Sequence, residues 1–384
     1  MTEIRYLMGV WLALALAFGL PIAALSFFTR EPRRPLLRPQ RPNRVRWTGV
    51  EVWLALLIAF ITPGLITEFL TQAGFFKVLY ENSDKFAFPV RLLWAMPLVL
   101  PAELLLILGS FRLLSNTPPR ELGFSFRRCA RDVRAGYLVW LVVAPLANLL
   151  NDLLSRLTPP QPHDLARLVE GHPGVPEWLL AGLEAVVAAP ILEELLFRGV
   201  LQPWLSRRSW GGLAAVAGAL AFSSAQAYGV FRDPNDKAAG GSISVLQTVS
   251  PVLFVIAMIP GYFIFPRAIC RWVAFPDVSR ALYGTALLFA AAHSSYWPTP
   301  VPLFLLGLAL GWLAYRTRNL VGPIVAHALF NAVAVLLLVA QSLASNQAEE
   351  DRSAKGSPVT TARVRSVPVS TSTAVPGSWW PRRR

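Results

Sequence analysis

Long apolar stretches recur through this 384-residue chain and limit what it can fold into. Windows of about 18–25 apolar residues are long enough to cross a bilayer as helices. Hydrophobic residues make up 54% of the chain and charged residues only 15%, a balance typical of membrane proteins and unusual for a soluble globule. We therefore predict an all-α polytopic membrane bundle with about ten transmembrane helices. The predicted spans are 6–28, 48–72, 89–113, 136–156, 178–205, 211–228, 249–267, 280–297, 300–316 and 319–343.

The arginines predict how these spans are oriented. Seven arginines lie between Arg30 and Arg46, six more lie between Arg112 and Arg134, and smaller basic groups follow at 207–208, 267–280 and 316–318. Placing all five groups on the cytoplasmic side satisfies the positive-inside rule with one topology, in which successive spans cross the membrane in opposite directions. The basic residues alternate with apolar spans and form no continuous face, so we expect membrane lipids and not nucleic acid as partners. We expect a multi-pass protein in the cytoplasmic membrane of a bacterium.

Charged side chains stand in the middle of the apolar span 178–205. Glu193, Glu194 and Arg198 follow Pro190 there, and each charged residue near a bilayer centre costs roughly 2.5–3.5 kcal/mol on insertion scales. Arg198 follows Glu194 by four residues, so one helix face can bring the two together. One interpretation is an ion pair that lowers the cost of burial and has no chemical role. The other is a catalytic or transport site.

Two further polar groups lie in apolar helices. His293 is predicted within span eight, and His327 shares one helical face with Asn331 near the start of span ten. Glu194 precedes Arg207 by 13 residues and His293 follows Arg280 by 13, which places both roughly 20 Å from a cationic helix end. His327 follows Arg318 by 9 residues, or roughly 13 Å. Helices of alternating direction would therefore bring the acids and both imidazoles to similar depth.

Several chemistries fit these residues. Glutamate and histidine around one point can deprotonate a water, the general-base step of amide hydrolysis. His327 and Asn331 can donate hydrogen bonds to a developing oxyanion. Glu193, His293 and His327 are also a ligand set that zinc could use. The same groups could instead relay protons in a transporter, or belong to an inert membrane scaffold or immunity protein.

At these residues the sequence resembles the CAAX prenyl endopeptidase and bacteriocin-processing family, the CPBP or Abi intramembrane proteases. The family motifs EExxxR, FxxxH and HxxxN appear in family order at Glu193-Glu194-x-x-x-Arg198, Phe289-x-x-x-His293 and His327-x-x-x-Asn331. Each motif alone is loose, whereas three in order within apolar helices are specific. The resemblance covers roughly residues 178–342.

The resemblance implies a membrane endopeptidase that acts on a peptide or protein substrate, which could be lipidated. By position, Glu193 matches the water-activating acid and His293 its partner, while His327 and Asn331 match the oxyanion-stabilising groups. Glu194 and Arg198 match the rest of the first motif, where the arginine orients the acid. Whether the family uses zinc is disputed, and the sequence leaves zinc open.

Domain organisation follows from the resemblance and from composition. We predict N-terminal helices and basic loops over 1–177, a protease core over 178–343 and a disordered Ser/Thr/Pro tail over 344–384. The family usually has about 30–40 residues between its first two motifs, whereas Arg198 and Phe289 stand 91 positions apart here. We interpret residues 208–279 as an inserted helical pair. The competing interpretation is that Gln226, in Phe222-x-x-x-Gln226, has replaced the catalytic histidine and that the protein is inert.

Overall fold

The computed structural model describes residues 45–79, 88–157, 174–228, 245–268 and 276–354. Within these ranges the chain is helical, with no strand. Six helices are long and apolar enough to cross a membrane, and one shorter apolar helix covers Gly211–Ala227. The prediction of a helical membrane bundle is confirmed. The first predicted span, 6–28, lies outside the described residues.

Ten helices, numbered here in chain order, make up the described part. Spans two, three, four, seven, nine and ten correspond to the six long apolar helices. The bounds are α1 Gly49–Gln72, α2 Phe75–Leu79, α3 Phe88–Leu114, α4 Cys129–Leu157, α5 from Val175 to Leu205, α6 Gly211–Ala227, α7 Val245–Ala268, α8 Pro276–Ala291, α9 Pro300–Thr317 and α10 Val321–Ala354. Residues 344–354, predicted to be disordered, therefore continue the last helix. The rest of the predicted tail lies outside the described residues.

Helix α5 is continuous but changes its winding twice. Wide π-helical turns cover Glu184–Ala188 and Leu195–Leu201, and an α-helical segment, Ala189–Glu194, separates them. Pro190 lies in this segment and has no N–H to donate, a common reason for a local change in winding. The helix nevertheless runs unbroken past Arg198 to Leu205. This continuity is required by the comparison of the depth of Glu194 with the depths of the two histidines.

Small residues let α6 and α8 approach closely. A Cβ atom added at Gly284 of α8 would lie 2.5 Å from the carbonyl oxygen of Gly212 and 2.8 Å from Cβ of Ala215, both on α6. Backbones can come this near only where glycine or alanine occupies the contact. The predicted insertion is therefore packed directly against the helix that leads to His293.

Helix α8 is shorter than predicted. Span eight was expected to cover 280–297, but the helix ends at Ala291 and a series of turns leads to Pro300. Ser294, in these turns, shares a hydrogen bond with Ser223 of α6, which offers the chain an alternative to continuing the helix. Pro298 also disfavours a helical conformation at the residue before it. His293 consequently lies on a turn at the helix end and not inside a span.

Candidate active site

The two acids of the first motif leave α5 in different directions. Glu193 and Glu194 end the short α-helical segment between the two π-helical turns. The Glu194 side chain is completely buried, whereas that of Glu193 is 26% exposed. Adjacent helical residues point about 100° apart, so one acid faces the packed interior and its neighbour faces an opening.

Glu194 lies at the centre of a buried ionic network. Its Oε1 accepts hydrogen bonds from Nη1 of Arg198 at 2.8 Å and from Nδ1 of His327 at 3.0 Å. Its Oε2 is buried and has no hydrogen-bond partner among the described residues. The predicted ion pair within α5 is present, and the network also joins α5 to α10.

Arg198 is held from several sides. Beyond Glu194, its Nη2 lies 3.4 Å from the carbonyl oxygen of Gly307 on α9, and its guanidinium stacks 4.4 Å from the ring centroid of Phe289. Cation–π contact is strongest where water is excluded, and the Arg198 side chain is only 1% exposed. Arg198 therefore fixes the carboxylate of Glu194 and links three helices.

Phe289, the aromatic residue of the second motif, forms the floor of the site. Its ring is fully buried and packs edge-on against Phe197 and His327, with centroids 5.3 and 5.7 Å away. Its ring centroid also lies 5.1 Å from that of His293. The motif thus supplies both a histidine and the surface on which two imidazoles rest.

Glu193 faces both imidazoles without bonding to either. Its Oε1 lies 4.0 Å from Nε2 of His293, and its Oε2 lies 3.7 Å from Nε2 of His327. Both distances exceed a direct hydrogen bond and suit a bridging water. The sequence prediction that the acid and the two histidines come together is consistent with this geometry.

The backbone fixes the tautomer of a neutral His293. Its Nδ1 lies 3.0 Å from the carbonyl oxygen of Phe289, which can only accept a hydrogen bond. Nδ1 must therefore carry the hydrogen, and Nε2 presents its lone pair towards Glu193. An imidazole held in this way can accept a proton from a water.

Asn331 uses part of its amide for a structural contact. Its Nδ2 donates to the carbonyl oxygen of Ala185 at 2.7 Å, within the first π-helical turn of α5. The sequence predicted an oxyanion donor at this position. The side-chain amide has two hydrogens, so one is committed to α5 and the second is available.

Helix α6 holds the turn that carries His293, a role that the sequence did not reveal. Ser295 Oγ donates to Oε1 of Gln226 at 2.8 Å, and the hydroxyls of Ser223 and Ser294 lie 2.9 Å apart. Gln226 was considered as a replacement for the catalytic histidine, and the structure places it beside the turn that holds His293. No local pattern could have paired residues about 70 positions apart.

The described side chains do not form a complete zinc site. Glu193 lies near one nitrogen of each histidine, but no three His, Cys, Asp or Glu residues in the described ranges are arranged to hold a metal ion. Zinc usually takes at least three protein ligands. A zinc site at Glu193, His293 and His327 stays a prediction, which metal analysis of the purified protein tests.

Comparison with known families supports the assignment that the motifs suggested. Residues 175–266 and 262–333 match the family model of the type II CAAX prenyl endopeptidase Rce1-like proteins. The two ranges contain all the predicted site residues and also α6 and α7, where an insertion was predicted. No curated protein and no solved structure matched the chain. The family match supports an intramembrane, CAAX-protease-type role.

Proposed function

We propose that this protein is an intramembrane endopeptidase in which Glu193 and His293 activate a water, a proposal supported by the match of residues 175–266 and 262–333 to the Rce1-like type II CAAX prenyl endopeptidase family model. The observation that carries the proposal is the contrast between neighbouring acids. Glu194 is buried and bonded, whereas Glu193 is partly exposed, faces two imidazoles and makes no hydrogen bond within the described residues. A carboxylate left free in this way is suited to take a proton.

The hydrolytic step uses the gap between Glu193 and His293. A water there would give one proton to Glu193 while its oxygen attacks the carbonyl carbon of the peptide bond. The carbonyl π electrons move to oxygen and create an oxyanion. Glu193 then returns the proton to the amide nitrogen, the C–N bond breaks, and the products are a new carboxyl terminus and a new amine.

Hydrogen-bond donors near the developing oxyanion would lower the barrier. The second amide hydrogen of Asn331 is one candidate. His327 is another, provided that it is the imidazolium, because Nδ1–H is already directed at Glu194 and only Nε2–H could reach the substrate. Removing one such donor in other enzymes costs roughly 10²–10³ in rate.

The substrate class follows from the family and from the surroundings of the site. We propose a peptide or protein substrate that is presented at the membrane, and prenylated chains are the first to test. We also propose the cytoplasmic membrane of a bacterium as the location, on the arginine distribution described above.

A cleavage assay in proteoliposomes tests the proposal. Wild-type protein is incubated with matched prenylated and unprenylated peptides, and the products are identified by mass spectrometry. Glu193→Gln should reduce cleavage to a small residual rate, because the amide cannot accept the proton. Glu68→Gln is the matched control, because Glu68 is an acid on another span and, within the described residues, has a hydrogen bond only with Gln72.

Three results would contradict the proposal. Cleavage by Glu193→Gln at the wild-type rate would remove Glu193 from the reaction. Proton-driven flux without a cleaved product would support a transporter. A cellular phenotype that persists in Glu193→Gln would support an inert scaffold.

A further inference from the structure

A second polar site lies where two loops meet at one end of the bundle. A cavity of about 470 Å³ opens between the connection from α3 to α4 and the connection from α9 to α10. Hydrogen bonds join the two connections: Leu320 N–H donates to the carbonyl oxygen of Gly123, and Asn319 donates to Asp132. Five arginines line the cavity, namely Arg120, Arg127, Arg128, Arg131 and Arg318.

The two acids that line the cavity are already paired. Glu121 forms an ion pair with Arg46 at 3.1 Å. Asp132 is 1% exposed and accepts hydrogen bonds from Arg131 at 2.9 Å and from Asn319 at 2.7 Å. Because these acids are engaged, the cavity carries excess positive charge within the described part of the chain.

Arg318 lacks the partners that a buried guanidinium normally has. Its Nε and Nη2 are buried and make no hydrogen bond within the described residues. Partial burial lowers the pKa of Arg318 below its ordinary value, as expected for a cation removed from water. A buried donor without a hydrogen-bond partner destabilises the folded protein, and more so when the donor is charged.

The backbone at Arg318 is also unusual. Arg318 follows the end of α9 with a φ of 54°, in the left-handed region that glycine adopts most easily. Arginine at this position brings its guanidinium to the cavity wall. A bound anion with several oxygens would balance the positive charge of the guanidinium groups that line the cavity.

The surroundings favour a lipid as the source of that anion. The cavity lies at the ends of three candidate membrane spans, α3, α4 and α9. Phe126, next to Arg127, is 74% exposed, and Leu113 at the end of α3 is 85% exposed. Exposed apolar side chains beside arginines are typical of the membrane interface, where headgroup phosphates lie.

We propose that this cavity binds the phosphate of an anionic phospholipid headgroup. Arg318 would donate to the phosphate from the cavity wall, and the exposed Arg120, Arg127 and Arg128 would supply the surrounding positive charge. The site lies on the side that the positive-inside rule assigns to the cytoplasm. It does not depend on the proposed hydrolysis, so each can fail without the other.

Thermal unfolding of the full-length protein in neutral detergent tests the proposal. Dioctanoyl phosphatidylglycerol, dioctanoyl phosphatidylcholine and inorganic phosphate are titrated separately, and the rise in Tm gives an apparent affinity. We expect phosphatidylglycerol to stabilise the wild type far more than the other two. Arg318→Gln should weaken the apparent affinity for phosphatidylglycerol at least about tenfold, because charge-assisted hydrogen bonds are lost.

Two further variants make the test specific. Arg127→Gln with Arg128→Gln changes exposed residues, so this variant tests the cavity even if Arg318→Gln does not fold. Arg267→Gln is the control, because Arg267 is exposed at the end of α7 and does not line the cavity. Wild-type affinity in all of the cavity variants would overturn the site. Equal stabilisation by inorganic phosphate would overturn the lipid assignment.

Discussion

Two neighbouring glutamates lie in different environments on two faces of helix α5. On one face, Glu194 is enclosed and bonded to Arg198 and His327. On the other, Glu193 is partly open and lies beyond hydrogen-bond distance from both histidines. The difference separates two uses of charge inside a bundle: a paired charge joins helices, whereas an unpaired and reachable charge can move a proton.

The largest expected effect is on the cleavage rate, from a substitution beside the partly exposed Glu193. His293→Ala should lower turnover by roughly 10²–10⁴, the usual contribution of a positioned acid–base group. It should hardly change stability, because the imidazole is 24% exposed and its one hydrogen bond within the described residues is to the backbone carbonyl of Phe289, in the last turn of α8. Cleavage rates and urea unfolding of the same preparations check both statements. A folded variant with normal turnover would remove His293 from the mechanism.

A substitution on the face of α5 that carries the buried Glu194 should instead lower the stability of the protein. Glu194→Gln removes the hydrogen-bonded counter-charge of the buried Arg198 guanidinium and leaves only the more distant Glu193, and breaking a buried pair of this kind costs about 3–5 kcal/mol. We expect a lower free energy of unfolding, measured by denaturant titration in detergent, with Glu193→Gln as the matched control. Equal free energies of unfolding for Glu194→Gln and Glu193→Gln would contradict the proposed difference between the buried, bonded acid and the partly exposed one.

A smaller effect is expected where α6 supports α8. In Gly284→Ala, the new Cβ would lie 2.5 Å from the Gly212 carbonyl oxygen, so the helices must separate. Overpacking of this kind costs about 1–3 kcal/mol. Gly218→Ala, on α6, is the control because its Cβ would meet its nearest neighbour at 3.6 Å. Indistinguishable thermal midpoints would contradict the close approach of α6 and α8.

The smallest effect concerns the turn that carries His293. Gln226→Leu removes the hydrogen bond to Ser295 and should cost about 0.5–1.5 kcal/mol. We also expect a fall in kcat with little change in KM, because the turn positions a reacting group and does not bind substrate. Ser224→Ala, on the same helix, should behave as wild type. A rise in KM alone would indicate that Gln226 contacts substrate instead.

The sequence predicted what depends on hydropathy and on short spacing. Apolar length identified the six long helices, and the four-residue spacing from Glu194 to Arg198 predicted their ion pair. Residue counts along the helices also predicted that the acids and both imidazoles lie at similar depth, although that estimate applied an α-helical rise across a π-helical turn of α5 and past the end of α8.

The sequence could not predict features that depend on distant partners. The end of α8 before His293 involves hydrogen bonds to Ser223 and Gln226, which belong to another helix. The bond of Asn331 to Ala185 depends on a π-helical turn whose position hydropathy does not indicate. The burial of two Arg318 nitrogens without hydrogen-bond partners, within the described residues, depends on the meeting of two loops that are distant in sequence.

A double-mutant cycle between Glu193 and His293 tests the shared water most directly. The measurement is the cleavage rate of wild type, Glu193→Gln, His293→Ala and the double variant, followed to long end points in proteoliposomes. If both groups act on one water, the double variant should be no slower than the slower single variant, because residues that act as a unit are not additive. Losses that multiply in the double variant would show that the two side chains act independently, which would contradict the account.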